Sequence, residues 1–455
     1  MAVQLEESHG VRLAVEGCGH GTLHAIYASI EEACKQKNWP GIDLLIIGGD
    51  FQSVRNAFDL NCVSMPPKYR EMCDFHEYYS GQRTAPYLTV FVGGNHEASN
   101  YLFELYHGGW VAPNIYYMGA ANILRLGPLR IAGMSGIWKG FDYRKPHFER
   151  LPYNESDMKS IYHVRELDVR KLLQVRTQID IGISHDWPQG IEWKGNWKKL
   201  FRMKKHFEDD ANSGKLGSVA ARQVLELLRP RYWFSAHLHC KFAAPIEHPP
   251  DITNTQTSFL ALDKCLPSRD FLQLITASEE PIRDQDRPLK LQYDREWLAI
   301  TRAFALSEPV PVGNPDVRVP LAKTQSDYRK LIEAERKWVD QNIDDAHLMI
   351  PENFIVTAPI FDGGNFRDAQ YQQVKEYPNP QAIEFCQLLH IPNPFDITEE
   401  ELSNRLAAGP RPDDFQGGRG GGRGGFRSDR GGRGRGHGRG RGQGRGRGRG
   451  GGRRY

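Results

Sequence analysis

Cysteine is sparse and shows no pairing pattern. The chain has seven, at 18, 34, 62, 73, 240, 265 and 386. They are dispersed, odd in number and nowhere arranged as CxxC. This excludes a disulfide framework and, with no secretory signal legible at the start, favours reduced thiols in the cytosol or nucleus. No run of 18 or more apolar residues occurs, so no membrane span is expected. Acids are nearly missing from the end of the chain. Residues 416–455 hold 13 Arg and 20 Gly against one acid, Asp429, and almost nothing apolar. Such a stretch cannot bury a core, so residues 407–455 are expected to be a disordered Arg/Gly-rich tail. The formal charge of +3 thus divides into +12 on this tail and −9 on the rest. That asymmetry suggests an arm that contacts RNA, through phosphates and in a salt-dependent way, or contacts RNA-binding proteins.

A length of 455 residues predicts one large or two modest domains. Strand-length apolar runs recur at 11–15, 43–47, 87–92, 179–183, 232–235 and 258–262. Amphipathic helical spacing lies between some of them, notably at 23–36 and 161–175. This alternation predicts an α/β sheet with helices packed on it, over residues 1–275. Pro-rich, polar text over 276–320 reads as a linker. Helical periodicity returns at 326–343, 380–389 and 398–406, which predicts a smaller, mostly helical module over 321–406.

Five of the apolar runs end in polar signatures. They are Cys18-Gly19-His20, Gly48-Gly49-Asp50, Gly93-Gly94-Asn95-His96-Glu97, Ser184-His185-Asp186 and Ala236-His237-Leu238-His239. Taken alone, "GCGHG" (17–21) could be a pair of metal ligands, a thiol with its base, or a tight turn. Taken together, the strand ends supply Cys18, His20, Asp50, Asn95, His185, His237 and His239, with His96 to spare. Open α/β sheets bind ligands outside the carboxyl ends of their strands. Two metals sharing a carboxylate need about this many donors, and imidazole with thiolate suits Zn or Fe rather than Mg.

The order CxH, GGD, GGNHE, SH, AHLH resembles the calcineurin-like metallophosphoesterases, whose usual pattern is DxH, GD, GNH, H, GHxH. Cysteine at the first position points within them to the RNA lariat debranching enzymes. "GDFQSVRN" (49–56), "GGNHEASN" (93–100), "GGWVAPNIYYMG" (108–119), "DYRKPHFE" (142–149), "SHDWPQGI" (184–191) and "FLALDKCLPSRDFLQ" (259–273) also resemble that family. The resemblance implies a two-sheet β-sandwich flanked by helices, followed by a family-specific C-terminal domain. It implies two divalent metals, Fe(II) and Zn(II), with Mn(II) able to support activity. Cys18, His20, Asp50 and His239 would hold one and Asp50, Asn95, His185 and His237 the other.

The implied reaction is hydrolysis of the 2′–5′ phosphodiester at the branch of excised intron lariats, during RNA turnover in the nucleus. A metal-activated hydroxide would attack phosphorus, and His96 would protonate the leaving 2′ oxygen. The resemblance also implies a lariat-recognition loop over 135–165, where Tyr143, Arg144, Lys145, His147 and Phe148 are the candidate RNA contacts. Thr22 and His24 stand where family members often carry acids, which removes an expected support of His20 but no ligand. A protein phosphatase would show GDxVDRG and Asp at 18. A related DNA nuclease would show coiled-coil heptads. A catalytically dead RNA-binding protein would have lost ligands.

Overall fold

The computed structural model describes residues 10–250, 255–278, 281–309, 314–369 and 372–413. The Arg/Gly repeat at 416–455 lies outside the described residues. Among the described residues, period-2 patterning sorts the strands into two sheets with a shared core. β1 (Val11–Glu16), β2 (Leu44–Ile47), β3 (Thr89–Phe91), β4 (Gly109–Ala112) and β5 (Ile115–Tyr117) lie in the first sheet. β6 (Ala121–Leu126), β7 (Leu129–Met134), β8 (Ile181–Ser184), β9 (Tyr232–Ser235), β10 (Phe242–Glu247) and β11 (Gln256–Ala261) lie in the second. β12 (Leu272–Ala277) returns to the first sheet and β13 (Leu291–Tyr293) closes the second. The orders are β12-β1-β2-β3-β5-β4 and β10-β11-β9-β8-β7-β6-β13.

Val11, Leu13 and Val15 of β1 pack with Leu44, Ile46 and Val90 against Leu124, Ile131, Ile181 and Phe234 of the facing sheet. The opposite face of the first sheet, through Ala14, Leu45, Ile47 and Phe91, takes Leu23, Ile26 and Ile30 of the helix Leu23–Lys37. The outer face of the second sheet is covered by Val169, Leu172, Val224, Trp297, Ile300 and Phe304. The expected sandwich flanked by helices is therefore present, with the first sheet's β1, β2 and β3 mutually parallel and β7, β8, β9 parallel in the second.

Four boundaries differ from expectation. Helical spacing predicts a helix over 161–175, but only Glu166–Leu172 is helical. The backbone before it is spent on another partner: Tyr162 O accepts from Ile137 N and Val164 N donates to Ile137 O, at 3.1 and 3.0 Å. The 276–320 stretch is not a linker. It contains β13, paired antiparallel with β6, and the helix Arg295–Ser307, capped by Asp294 and burying Trp297, Ile300 and Phe304. Asp294 also holds the buried Arg130 of β7. Nor do residues 321–406 stand apart. Tyr79 Oη accepts the N–H groups of Thr357 and Ala358, and Gln381 bonds both the N–H and the carbonyl of Trp110. Finally, 407–413 is ordered onto the body: Arg411 pairs with Asp157, and Asn154 donates to the carbonyls of Arg411 and Pro412.

Candidate metal centre

The carboxyl ends of β1, β2, β3, β8 and β9 lie at one edge of the sandwich, and each chain turn beyond them carries donors. The turns are tight. His20, Asp50, Gln52, His237 and His239 all have positive φ, between 43° and 62°. Left-handed backbone at a non-glycine residue costs on the order of 1–3 kcal/mol and persists where surroundings over-determine it. Glycine is required beside them: a Cβ on Gly94 would sit 2.2 Å from Asp50 Oδ1, and one on Gly49 (φ 118°) 2.3 Å from His185 Nδ1.

All seven expected ligands converge here. One donor atom each from Cys18, His20, Asp50 and His239 lies within 4.8 Å of the other three. His20 Nε2 is 3.3 Å from His239 Nε2 and 3.7 Å from Asp50 Oδ2. The other carboxylate oxygen, Oδ1, is 3.4 Å from His185 Nε2, which is 3.3 Å from Asn95 Oδ1. The His185 and His237 rings are 5.0 Å apart. Asp50 therefore turns one oxygen toward each group of donors. His96 donates its backbone N–H to Asp50 Oδ1 at 2.8 Å, its ring lies 5.8 Å from that of His20, and its Nδ1 is buried with no hydrogen-bond partner.

The electrostatics favour a cation. Burial lowers His20 and His237 to about 4 and His239 to about 3, so these rings are neutral at pH 7 with lone pairs available. Burial opposes ionisation of Asp50, yet His185, His96, His20 and His237 hold its carboxyl well below the usual range. Burial, with Asp50 and Glu16 adding to it, keeps the Cys18 thiol well above its ordinary value, while the His237 N–H works the other way. A proton between His20 and His239 satisfies one pair only. The remaining nitrogen, sulfur and oxygen lone pairs face one another, and a divalent cation satisfies them together.

The support around these donors was less legible. His185 Nδ1 donates to Gly48 O at 2.8 Å, which fixes the tautomer that leaves Nε2 free. The Gln52 amide nitrogen, Nε2, sits 3.3 Å from His20 Nδ1. Exchanging the amide oxygen and nitrogen by a 180° turn would let the oxygen accept the Nδ1 proton and free Nε2 in the same way. In that orientation Gln52 takes the place of the acids missing at 22 and 24. Thr22 itself donates to Gly19 O, and the helix N-terminus at Leu23 and His24 is capped from a distance by Asp74. Glu97 binds the N–H groups of Phe51, Gln52 and Gly94, tying the Asp50 turn to the Asn95 turn; burial and the Asp50 charge push it up to about 8. Gln52 and Glu97 each stand in a quoted motif, which was the available signal. Asp74 carried none.

The loop candidates fare differently. Phe148 is 2 % exposed, so it is not placed to stack a base. Lys145 is paired with Asp142, and His147 with the buried Asp168. Tyr143 is half-buried against Trp138. Arg144 is exposed, though paired with Glu166.

The calcineurin-like phosphoesterase family profile matches residues 11–241, and the profile of the lariat debranching enzyme C-terminal domain matches 254–394. The lariat debranching enzyme of Arabidopsis thaliana is 45 % identical over 383 residues, covering 84 % of this chain and 87 % of its own. That of Homo sapiens is 46 % identical over 388 residues, covering 84 % and 69 %, and lariat debranching enzyme A of Xenopus laevis is 42 % identical over 424 residues, covering 89 % and 77 %. The chain belongs to the lariat debranching enzyme family. The phosphoesterase fold implies a pair of divalent metals, and the donor set at this edge fits them. The family's C-terminal profile begins before β11 ends and runs through 276–320, in keeping with a stretch that is structural and not a spacer.

Proposed function

We propose that this chain is a metal-dependent phosphodiesterase that hydrolyses the 2′–5′ bond at the branch of excised intron lariats. The observation that carries this reading is Cys18 within a closed cluster with His20, Asp50 and His239, in a chain of this family. Cys18, His20, Asp50 and His239 would hold one metal and Asp50, Asn95, His185 and His237 the other. When bound, the pair supplies Lewis acidity that neutralises phosphoryl oxygens and makes water nucleophilic at neutral pH. Thiolate and imidazole donors favour Fe(II) and Zn(II), with Mn(II) as a substitute.

His96 is held in place by its N–H bond to Asp50 and is not needed as a ligand. Its ring is available to give a proton to the leaving 2′ oxygen, a role worth about 10²–10⁴-fold. The Gln52 and Gly48 contacts keep His20 and His185 in one orientation throughout. The Arg/Gly tail would draw in RNA or RNA-binding proteins. Introns are excised in the nucleus, so the protein would act there, which imaging of the tagged full chain checks.

The test is to incubate the metal-loaded protein with a branched 2′–5′ RNA, a linear 3′–5′ RNA, duplex DNA and a phosphopeptide. Cleavage of the branched RNA alone supports the reading. Cleavage of linear RNA or DNA at a similar rate, or of the phosphopeptide alone, overturns it.

A further inference from the structure

The body of the protein carries excess negative charge, yet one of its surfaces is the reverse. Between Gly190 and Phe207 the chain has Lys194, Lys198, Lys199, Arg202, Lys204 and Lys205, and its only acid, Glu192, is buried. All six cations except the half-buried Lys204 are exposed. None of them forms an ion pair among the described residues; Lys198 Nζ lies instead over the Trp197 ring, 5.4 Å from its centroid. The same stretch presents apolar surface. Trp193 is 42 % exposed, and its ring packs on Trp197 and Phe201 at 5.7 and 5.4 Å, which holds it rigidly.

This surface follows the metal centre closely along the chain. It begins six residues beyond the ligand His185, where Ile191–Lys194 forms a short turn of helix before the helix Trp197–Met203. Trp197 and Leu238, the residue between His237 and His239, pack half-buried on the same core cluster. Gly195, between the two helical segments, is seated on β10: a Cβ there would lie 2.5 Å from Ala243 O and 2.6 Å from the Phe242 ring, three residues beyond His239. On the other side Lys264 pairs its backbone with that of Cys18.

We propose that the 193–205 face, Trp193 with Lys194, Lys198, Lys199, Arg202, Lys204 and Lys205, seats one single-stranded arm of the branched RNA as it leaves the metal centre. A rigid exposed aromatic among unpaired cations is the combination that single strands use: bases stack, phosphates meet charge, and no sequence is read. In the 135–165 loop most charges are spent on partners, Lys145 on Asp142, His147 on Asp168 and Arg165 on Glu149, and only Lys139 beside the exposed Phe141 is left without an ion pair among the described residues. The inference rests on the proposed debranching reaction and adds a path for the substrate.

The test uses the full chain and the triple variant Lys198→Gln, Lys199→Gln, Arg202→Gln, all exposed positions. Substrates are a branched RNA with long arms, the same branch with one-nucleotide arms, and a chromogenic phosphodiester. The triple variant is expected to lose about tenfold in kcat/KM on the long-armed RNA through KM, relative to its change on the other two. Its salt slope should fall by about 2, from three lost phosphate contacts at about 0.7 each. The tail is present in both proteins and cancels in the difference. Trp193→Ala should lower long-arm affinity by about tenfold. An unaltered salt slope, or equal losses on all three substrates, overturns the proposal. If the wild type cleaves no branched RNA, it is the debranching reading that has failed; if it cleaves and the substrate ratios do not move, it is this face.

Discussion

The strand-end turns and the 135–165 loop both look functional in the sequence, since both concentrate histidine, aromatic and charged residues. They differ in how much of their polar capacity is spent. At the strand ends, His20, His239, Asp50, His185 and Asn95 point donor atoms at one another across 3.3–3.7 Å, and the backbone bends into positive φ to achieve it. In the loop, nearly everything is paired. Arg165 bonds Glu149 and the carbonyls of Asp142 and Ser160, His163 bonds Asp142, and Asp168 is shared by His147, Tyr106 and Lys171. A binding site keeps unsatisfied donors and strain, while a structural network consumes its own charges.

Substitutions on each side should separate the two. Asp50→Asn should have the largest effect, removing metal from both positions, as elemental analysis after dialysis would report; retention of both metals would break the assignment of a shared carboxylate. His96→Ala should keep its metals and lose about 10²–10⁴-fold in kcat, so metal loss in that variant would move His96 among the ligands. On the loop side, Phe148→Ala should cost about 3–5 kcal/mol in stability by opening a cavity. Denaturant unfolding measures it, and a small cost coupled to a large rise in KM for RNA would make Phe148 a contact after all. Gln52→Ala should weaken metal affinity about 10–100-fold by freeing the His20 ring. Arg144→Ala, on an exposed pair, should change stability by less than about 1 kcal/mol.

The pH dependence sharpens the same contrast. At pH 7 His20, His237 and His239, at about 4, 4 and 3, have no proton to give up on metal binding. Cys18, held above the ordinary thiol value by burial, has one. Metal affinity should therefore rise with pH, by about tenfold per unit for one released proton. Calorimetric titrations between pH 6 and 8 should show a slope smaller by about one in Cys18→Asp, whose carboxylate is already ionised. Equal slopes would mean that Cys18 does not bind metal as thiolate.

The metal edge was legible because each ligand directly follows an apolar strand, so one-dimensional order carries the three-dimensional convergence. The support was not, because it comes from contacts distant in sequence: Asp74 caps a helix that starts at Leu23, and Gly48 O orients His185. The 276–320 stretch was misread on its proline and polar content, although Asp294 followed by Trp297, Ile300 and Phe304 is a capped, one-sided helix. Among the RNA candidates, Phe148 is buried and Lys145 and His147 are already paired, which composition alone does not distinguish from free side chains. The 193–205 face is the converse case: its cations are close in sequence, and none of them forms an ion pair among the described residues, although Glu208, Asp209 and Asp210 follow directly.

Cys18 is the residue on which the assignment turns, and X-ray absorption on zinc-loaded protein reads it directly. A sulfur scatterer at about 2.3 Å is predicted in the wild type, lost in Cys18→Asp. A coordination shell of nitrogen and oxygen alone in the wild type would contradict the account.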